Sequence, residues 1–121
     1  MRKLLKPMKR LWVEELNIIN LENIGGSVVK QDDRYIVRDN EFGNNLVISS
    51  TRLFAHKETS GHSHVGQEEV YFFAEGTGIM ELDKTRFTVK SGDVVPINDG
   101  VFHKVYNDSD EDLYFVCVFN G

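Results

Sequence analysis

Two histidines one residue apart, His62 and His64, stand just ahead of Glu69 at the entry to an apolar run, Val70-Tyr71-Phe72-Phe73. A third, His103, falls in a separate stretch, Val101-Phe102-His103-Lys104-Val105-Tyr106-Asn107. The chain has 4 histidines, so most of its imidazole lies in these two segments. His62, His64, Glu69 and His103 offer three neutral nitrogen donors and one anionic oxygen donor. Such a set suits a first-row transition ion. Without cysteine it leaves coordination positions open for water or a ligand, unlike the closed shell of a structural zinc site.

A divalent ion held this way keeps a residual positive charge. It attracts small molecules with adjacent oxygens, such as hydroxy-carbonyl sugars, enediols and carboxylates. A Lewis-acid ion polarises a carbonyl and stabilises the enediolate formed when the neighbouring carbon loses a proton. That chemistry needs a base, for which Glu69 is the candidate if it leaves the ion. It also gains from a donor, for which Tyr71, on the same strand parity and expected at the rim, is the candidate.

These residues must be positioned by strands. Side chains alternate faces along an extended chain, so His62 and His64 share one face, and Glu69, Tyr71 and Phe73 share another. Gly66 permits a bend between the two groups. Short apolar runs predict strands near 28–30, 34–38, 45–55, 69–75, 78–82, 86–90, 93–97, 102–106 and 113–119. Between them lie Gly76-Thr77-Gly78, Asp83-Lys84, Ser91-Gly92, Asn98-Asp99-Gly100 and Asn107-Asp108-Ser109, all favouring chain reversal. Turns at this interval predict an all-β sandwich or closed barrel, in which inward faces of separate strands converge.

The two segments resemble the paired motifs of the cupin superfamily, in its small single-domain form. His62, His64, Glu69 and Gly76 match the first motif without a gap; Gly92, Gly100, His103 and Asn107 match the second. Two turn positions depart from the pattern: His56 stands where the first motif opens with glycine, and Asn98 replaces the proline before Gly100. The resemblance covers about residues 45–119. It implies a jelly-roll β-sandwich or barrel, with His62, His64, Glu69 and His103 as metal ligands. The expected cofactor is one divalent transition metal per chain: iron, manganese, nickel, copper or zinc.

Gly61, Tyr71, Gly76, Gly78 and Met80 carry a further likeness to cupin-type sugar-phosphate isomerases. On that reading Arg52, Lys57 and Lys104 are the cations available to a phosphate. One alternative is a non-haem dioxygenase, with Phe54, Tyr71, Phe73, Phe102 and Phe115 as an apolar lining. Another is a non-catalytic, metal-dependent small-molecule-binding module. His56 is a candidate proton carrier near the mouth.

The bulk numbers agree with one domain. The chain has 121 residues, 40% apolar and 27% charged, with no apolar run of membrane-spanning length. A single cysteine, Cys117, excludes an intramolecular disulfide and is expected to be a buried thiol in a cytoplasmic protein. Net charge is −5, unevenly spread: Arg2, Lys3, Lys6, Lys9 and Arg10 crowd the first ten residues, which hold no acid. This arm is expected to pack on the chain's own acidic surface rather than on nucleic acid. Residues 1–26 are read as an N-terminal extension that is not a signal peptide, with Pro7 limiting any helix, and 27–121 as the cupin domain. The seven-residue run Leu113–Phe119 is apolar on both faces, so both should be covered. Leu11, Trp12 and Val13 or a second subunit could provide that cover, and a homodimer is expected.

Overall fold

A computed structural model of the chain describes residues 18–41 and 43–121. The expectations for the basic arm, Pro7 and the Leu11–Val13 cover lie outside the described residues. Nine strands follow in order: β1 (Ser27–Gln31), β2 (Tyr35–Glu41), β3 (Leu46–Leu53), β4 (Glu69–Glu75), β5 (Thr77–Leu82), β6 (Thr85–Lys90), β7 (Val94–Ile97), β8 (His103–Tyr106) and β9 (Leu113–Asn120). Each expected strand is present, with ends within a residue or three of the sequence reading. Among the described residues no helix is long and apolar enough to cross a membrane.

The strands form two antiparallel sheets. The larger runs β1-β2-β3-β9-β4-β7 and the smaller β6-β5-β8. Leu53, Phe73, Leu113 and Phe115 of the large sheet meet Met80, Val89 and Val105 of the small one in a single core. This is a jelly-roll sandwich, all-β as expected. Leu53, Phe73 and Met80 are at most 1% exposed; burying each contributes about 1.5–3 kcal/mol.

β9 lies centrally, between β3 and β4, and this explains its unbroken apolarity. Leu113 and Phe115 face the core. Tyr114 and Val116 face outward, where Ile24, Ile19, Ile48, Phe72 and Ala74 pack against them. The Ile24 amide donates to the Tyr114 hydroxyl at 3.1 Å, and the Asn40 side-chain amide donates to the Ile24 carbonyl at 2.7 Å. Part of the outward cover is therefore supplied in cis, by residues 19–24.

Two motif glycines stand where a side chain has no room. A Cβ on Gly76 (φ +91°) would lie 2.5 Å from the Asp112 carbonyl oxygen, and one on Gly61 (φ +82°) 2.6 Å from the Phe102 ring. Both also need a positive φ, which glycine adopts freely. Gly61 thereby lets the chain pass under Phe102 just before His62.

Candidate metal centre

The local fold brings the two motifs into register. His62 and His103 form an isolated antiparallel bridge. Each amide donates to the other's carbonyl, at 3.1 and 2.9 Å. Gly100 donates to the His64 carbonyl at 2.9 Å, and the Gly66 amide donates to Asp99 at 2.7 Å, fixing the far end of the same loop. His62 and His64 come from this loop, Glu69 from the first position of β4 and His103 from the first position of β8.

One candidate donor atom from each of His62, His64 and Glu69 lies within 4.8 Å of the other two. His103 Nε2 is 3.7 Å and His64 Nε2 3.9 Å from the same Glu69 oxygen, Oε1. Ring centroids of His62 are 4.5 Å from His64 and 4.4 Å from His103. The structure thus brings His62, His64 and Glu69 within reach of one another and sets His103 Nε2 beside Glu69, outside that mutual group. Glu69 and His103 are buried, whereas His62 and His64 are exposed and face an opening.

His103 shows what the point is suited to. Its Nδ1 lies 3.1 Å from the Val101 carbonyl oxygen. A carbonyl only accepts, so Nδ1 carries the proton and Nε2 presents a lone pair to the other three side chains. That Nε2 is buried without a hydrogen-bond partner, the one such side-chain atom among the described residues. Leaving a buried polar atom unmatched is costly, and a cation would satisfy it. His62 points the same way. Burial, reinforced by the neighbouring His103, His64 and Lys30, lowers its pKa to about 4, so the ring is neutral and able to ligate at neutral pH. The residues fit a divalent transition ion held by His62, His64, Glu69 and His103.

The four donors open on a cavity of about 490 Å³ bounded by the inner face of the large sheet and the 59–67 loop. Tyr71 is on its wall, but deep inside and 7% exposed, rather than at the rim. Its ring stacks on Phe115 at 5.4 Å and meets His103 edge-on at 5.7 Å. Burial, then Cys117 and Glu69, raise the phenol well above its ordinary pKa, so it stays a donor. Cys117 also lines the cavity. Its thiol is pushed up by burial first and then by the Glu69 and Asp39 carboxylates, which keeps it protonated and unreactive.

Several sequence candidates are elsewhere. His56 adopts φ 62° in a turn, is exposed and pairs with Asp110 at 2.6 Å, off the cavity. Arg52 pairs with Glu75 and Asp112, Lys57 with Asp33 and Lys104 with Glu58, and none lines the cavity. Lys30 is the one lysine or arginine among the described residues that does. Of the five aromatics that the dioxygenase alternative would use as a lining, most of them expected to be core, Tyr71 and Phe115 line it. Phe73 is in the core, and Phe102 packs on Gly61. Sequence reasoning missed Lys30, Asp39, Ser49, Thr51 and Phe119. Inward parity along β2 and β3 could have pointed to Asp39 and Ser49, but only once those strands were known to border the site.

Fold and site together define a small β-sandwich with a histidine–carboxylate cluster inside one end. The Cupin domain family matches residues 52–119, more than half of the chain, and the protein belongs to that family. An uncharacterized protein of Methanocaldococcus jannaschii is 39% identical over 56 residues, 46% of this chain and 45% of that one. An oxalate-binding protein of Thermotoga maritima is 32% identical over 57 residues, 47% of each chain. The matched stretches thus span less than half the length of these curated relatives. Among solved structures, a conserved protein with a double-stranded β-helix domain from Klebsiella pneumoniae superposes with a TM-score of 0.74. It is 19% identical, with coverage of 88% of this chain and 90% of that one. That likeness concerns the fold alone.

Proposed function

We propose that the protein is a metal-dependent cupin that binds, and acts on, a small oxygen-rich metabolite in this cavity. The observation that carries this reading is the buried, unpartnered Nε2 of His103, aimed at Glu69 beside two exposed histidines. His62, His64, Glu69 and His103 would hold one divalent ion of iron, manganese, nickel, copper or zinc. Such an ion polarises carbonyl or carboxylate oxygens and steadies negative charge on them. The Tyr71 phenol, kept protonated, donates a hydrogen bond to a ligand oxygen. Glu69 accepts the proton of a carbon acid if its carboxylate is released for that purpose. Phe115 and Phe119 exclude water from one wall.

Isomerase-type proton transfer on a hydroxy-carbonyl compound is the chemistry this set supports best. A phosphate on that compound has little support, since Arg52, Lys57 and Lys104 are engaged elsewhere and Lys30 is the one such cation of the cavity among the described residues. The relative from Thermotoga maritima, named for oxalate binding, favours ligands with adjacent oxygens. A homodimer in a reducing cytoplasm belongs to the same proposal. Exposed Val28 and Val29 on edge strand β1 and the single free Cys117 are in keeping with it. A monomer by light scattering at micromolar concentration would refute the dimer.

The test is metal content of untagged protein by elemental analysis, against His62→Ala/His103→Ala. About one equivalent in the parent, lost in the double variant, is expected. No metal in the parent after reconstitution would overturn the reading. Turnover that proceeds without oxygen supports isomerase-type chemistry; iron-dependent oxygen uptake would make the protein a dioxygenase instead.

A further inference from the structure

The inner face of the large sheet carries a polar row that the metal cluster does not use. Strand register fixes it: Tyr71 pairs with Cys117, Cys117 with Ser49, and Ser49 with Asp39. All four side chains line the same cavity. The Glu69 and Asp39 carboxylates, from strands on either side of β9, both act on the Cys117 thiol, after burial, to keep it protonated. The row therefore starts one register step from the metal-facing Glu69 and crosses β4, β9 and β3 to end on β2.

Asp39 is the anomaly. Of the other β2 positions with the same parity, Tyr35 and Val37 pack in or against the core, and Glu41 is exposed at the strand's end. Among the described residues no hydrogen bond or ion pair reaches the Asp39 side chain. Ser49 beside it is only 6% exposed. A half-buried carboxylate on an inward face is unfavourable unless something donates to it. The cavity, at about 490 Å³, is of the size that takes ligands much larger than a two-carbon diacid.

We infer that Asp39 and Ser49 form a specificity subsite for the far end of the ligand, and that the ligand is a carboxylic or hydroxy-carbonyl acid bearing a hydroxylated or amino tail. Its adjacent oxygens sit at the His62/His64/Glu69/His103 end. Its donors run along the row toward Asp39. This inference deepens the proposed metal-dependent function and rests on it.

The experiment compares two probes on the metal-loaded protein by calorimetry. Glycolate carries the chelating head alone; gluconate carries the same head and a hydroxylated tail. Gluconate is expected to bind about tenfold or more tightly than glycolate, as hydrogen bonds to a charged acceptor allow. Asp39→Val, with a side chain suited to a strand, should erase that preference while keeping metal content and glycolate affinity. Ser49→Ala should reduce it in part. Unchanged metal content and melting temperature show that each variant is folded. Equal affinity for the two probes, no binding of gluconate, or a preference that survives Asp39→Val would overturn the subsite alone. Absence of metal in the parent would instead overturn the metal reading, and this inference with it.

Discussion

Glu69 and His103 are held differently from His62 and His64. The first pair are strand residues, 6% and 3% exposed at the side chain, and His103 is tied through Nδ1 to the Val101 carbonyl. The second pair project from a loop, with 47% of the His64 side chain exposed. One half of the site is thus set by the packing of the core and the other by a loop pinned at both ends. Buried donors define where an ion sits; solvent-facing donors leave a path for it to arrive and for a ligand to approach.

The largest expected effect tests that division. His103→Ala should lower metal affinity more than a hundredfold, beyond the 10–100-fold typical of outer partners, in a chelator-competition titration. It should also lower the apoprotein's stability by about 2 kcal/mol, since a packed ring is removed from beside Tyr71. His64→Ala should weaken metal binding less and leave the apoprotein's melting temperature unchanged. Equal losses in the two variants would abolish the distinction between the halves.

Asn107 sharpens it, being a motif residue that is not a donor to the ion. Its side-chain amide donates to the carbonyls of Leu53, Phe54 and Glu111 at 2.7–3.1 Å, and its oxygen accepts from Ser109. Asn107→Ala strands buried carbonyls and should cost about 3 kcal/mol, read by urea denaturation. Metal stoichiometry of the folded fraction should hold at the parent value; a parallel loss of metal would place Asn107 in the site.

A smaller effect follows from pH. The folded pKa of His62, about 4, is below its unfolded value of 6.5. The unfolded chain therefore binds the extra proton first. The apoprotein should lose stability as pH falls from about 6.5 toward 4, and His62→Gln should flatten that slope in thermal melts. Exposure of the ring keeps the effect modest. Smallest of all, Lys57→Ala removes a 3.7 Å surface pair with Asp33. It should shift stability by less than about 0.5 kcal/mol and leave ligand affinity untouched. A large drop in affinity for a sugar phosphate would restore Lys57 to the site.

Most of the fold was legible because its signals are local. Alternation and turn residues marked all nine strands, and the spacing of His62, His64, Glu69 and His103 pointed to one interior site. The run Leu113–Phe119 correctly implied cover on both faces. What escaped depends on pairings between distant strands. Asp39, Ser49 and Cys117 become one row only through the order β2-β3-β9, which no short window contains. His56 is a turn histidine paired with Asp110 rather than a proton carrier at the mouth, the plainer of the two readings its sequence position allowed. Arg52, Lys57 and Lys104 flank the site in sequence, but each found an acidic partner nearby.

The paired amide–carbonyl bonds between His62 and His103 join chain segments separated in sequence by the strands β4–β7. Closing that bridge and completing the donor set are one event. Hydrogen exchange at these two amides should therefore report assembly of the whole cluster. A captured ion would slow both amides together, acting as a clasp between two distant stretches of the chain.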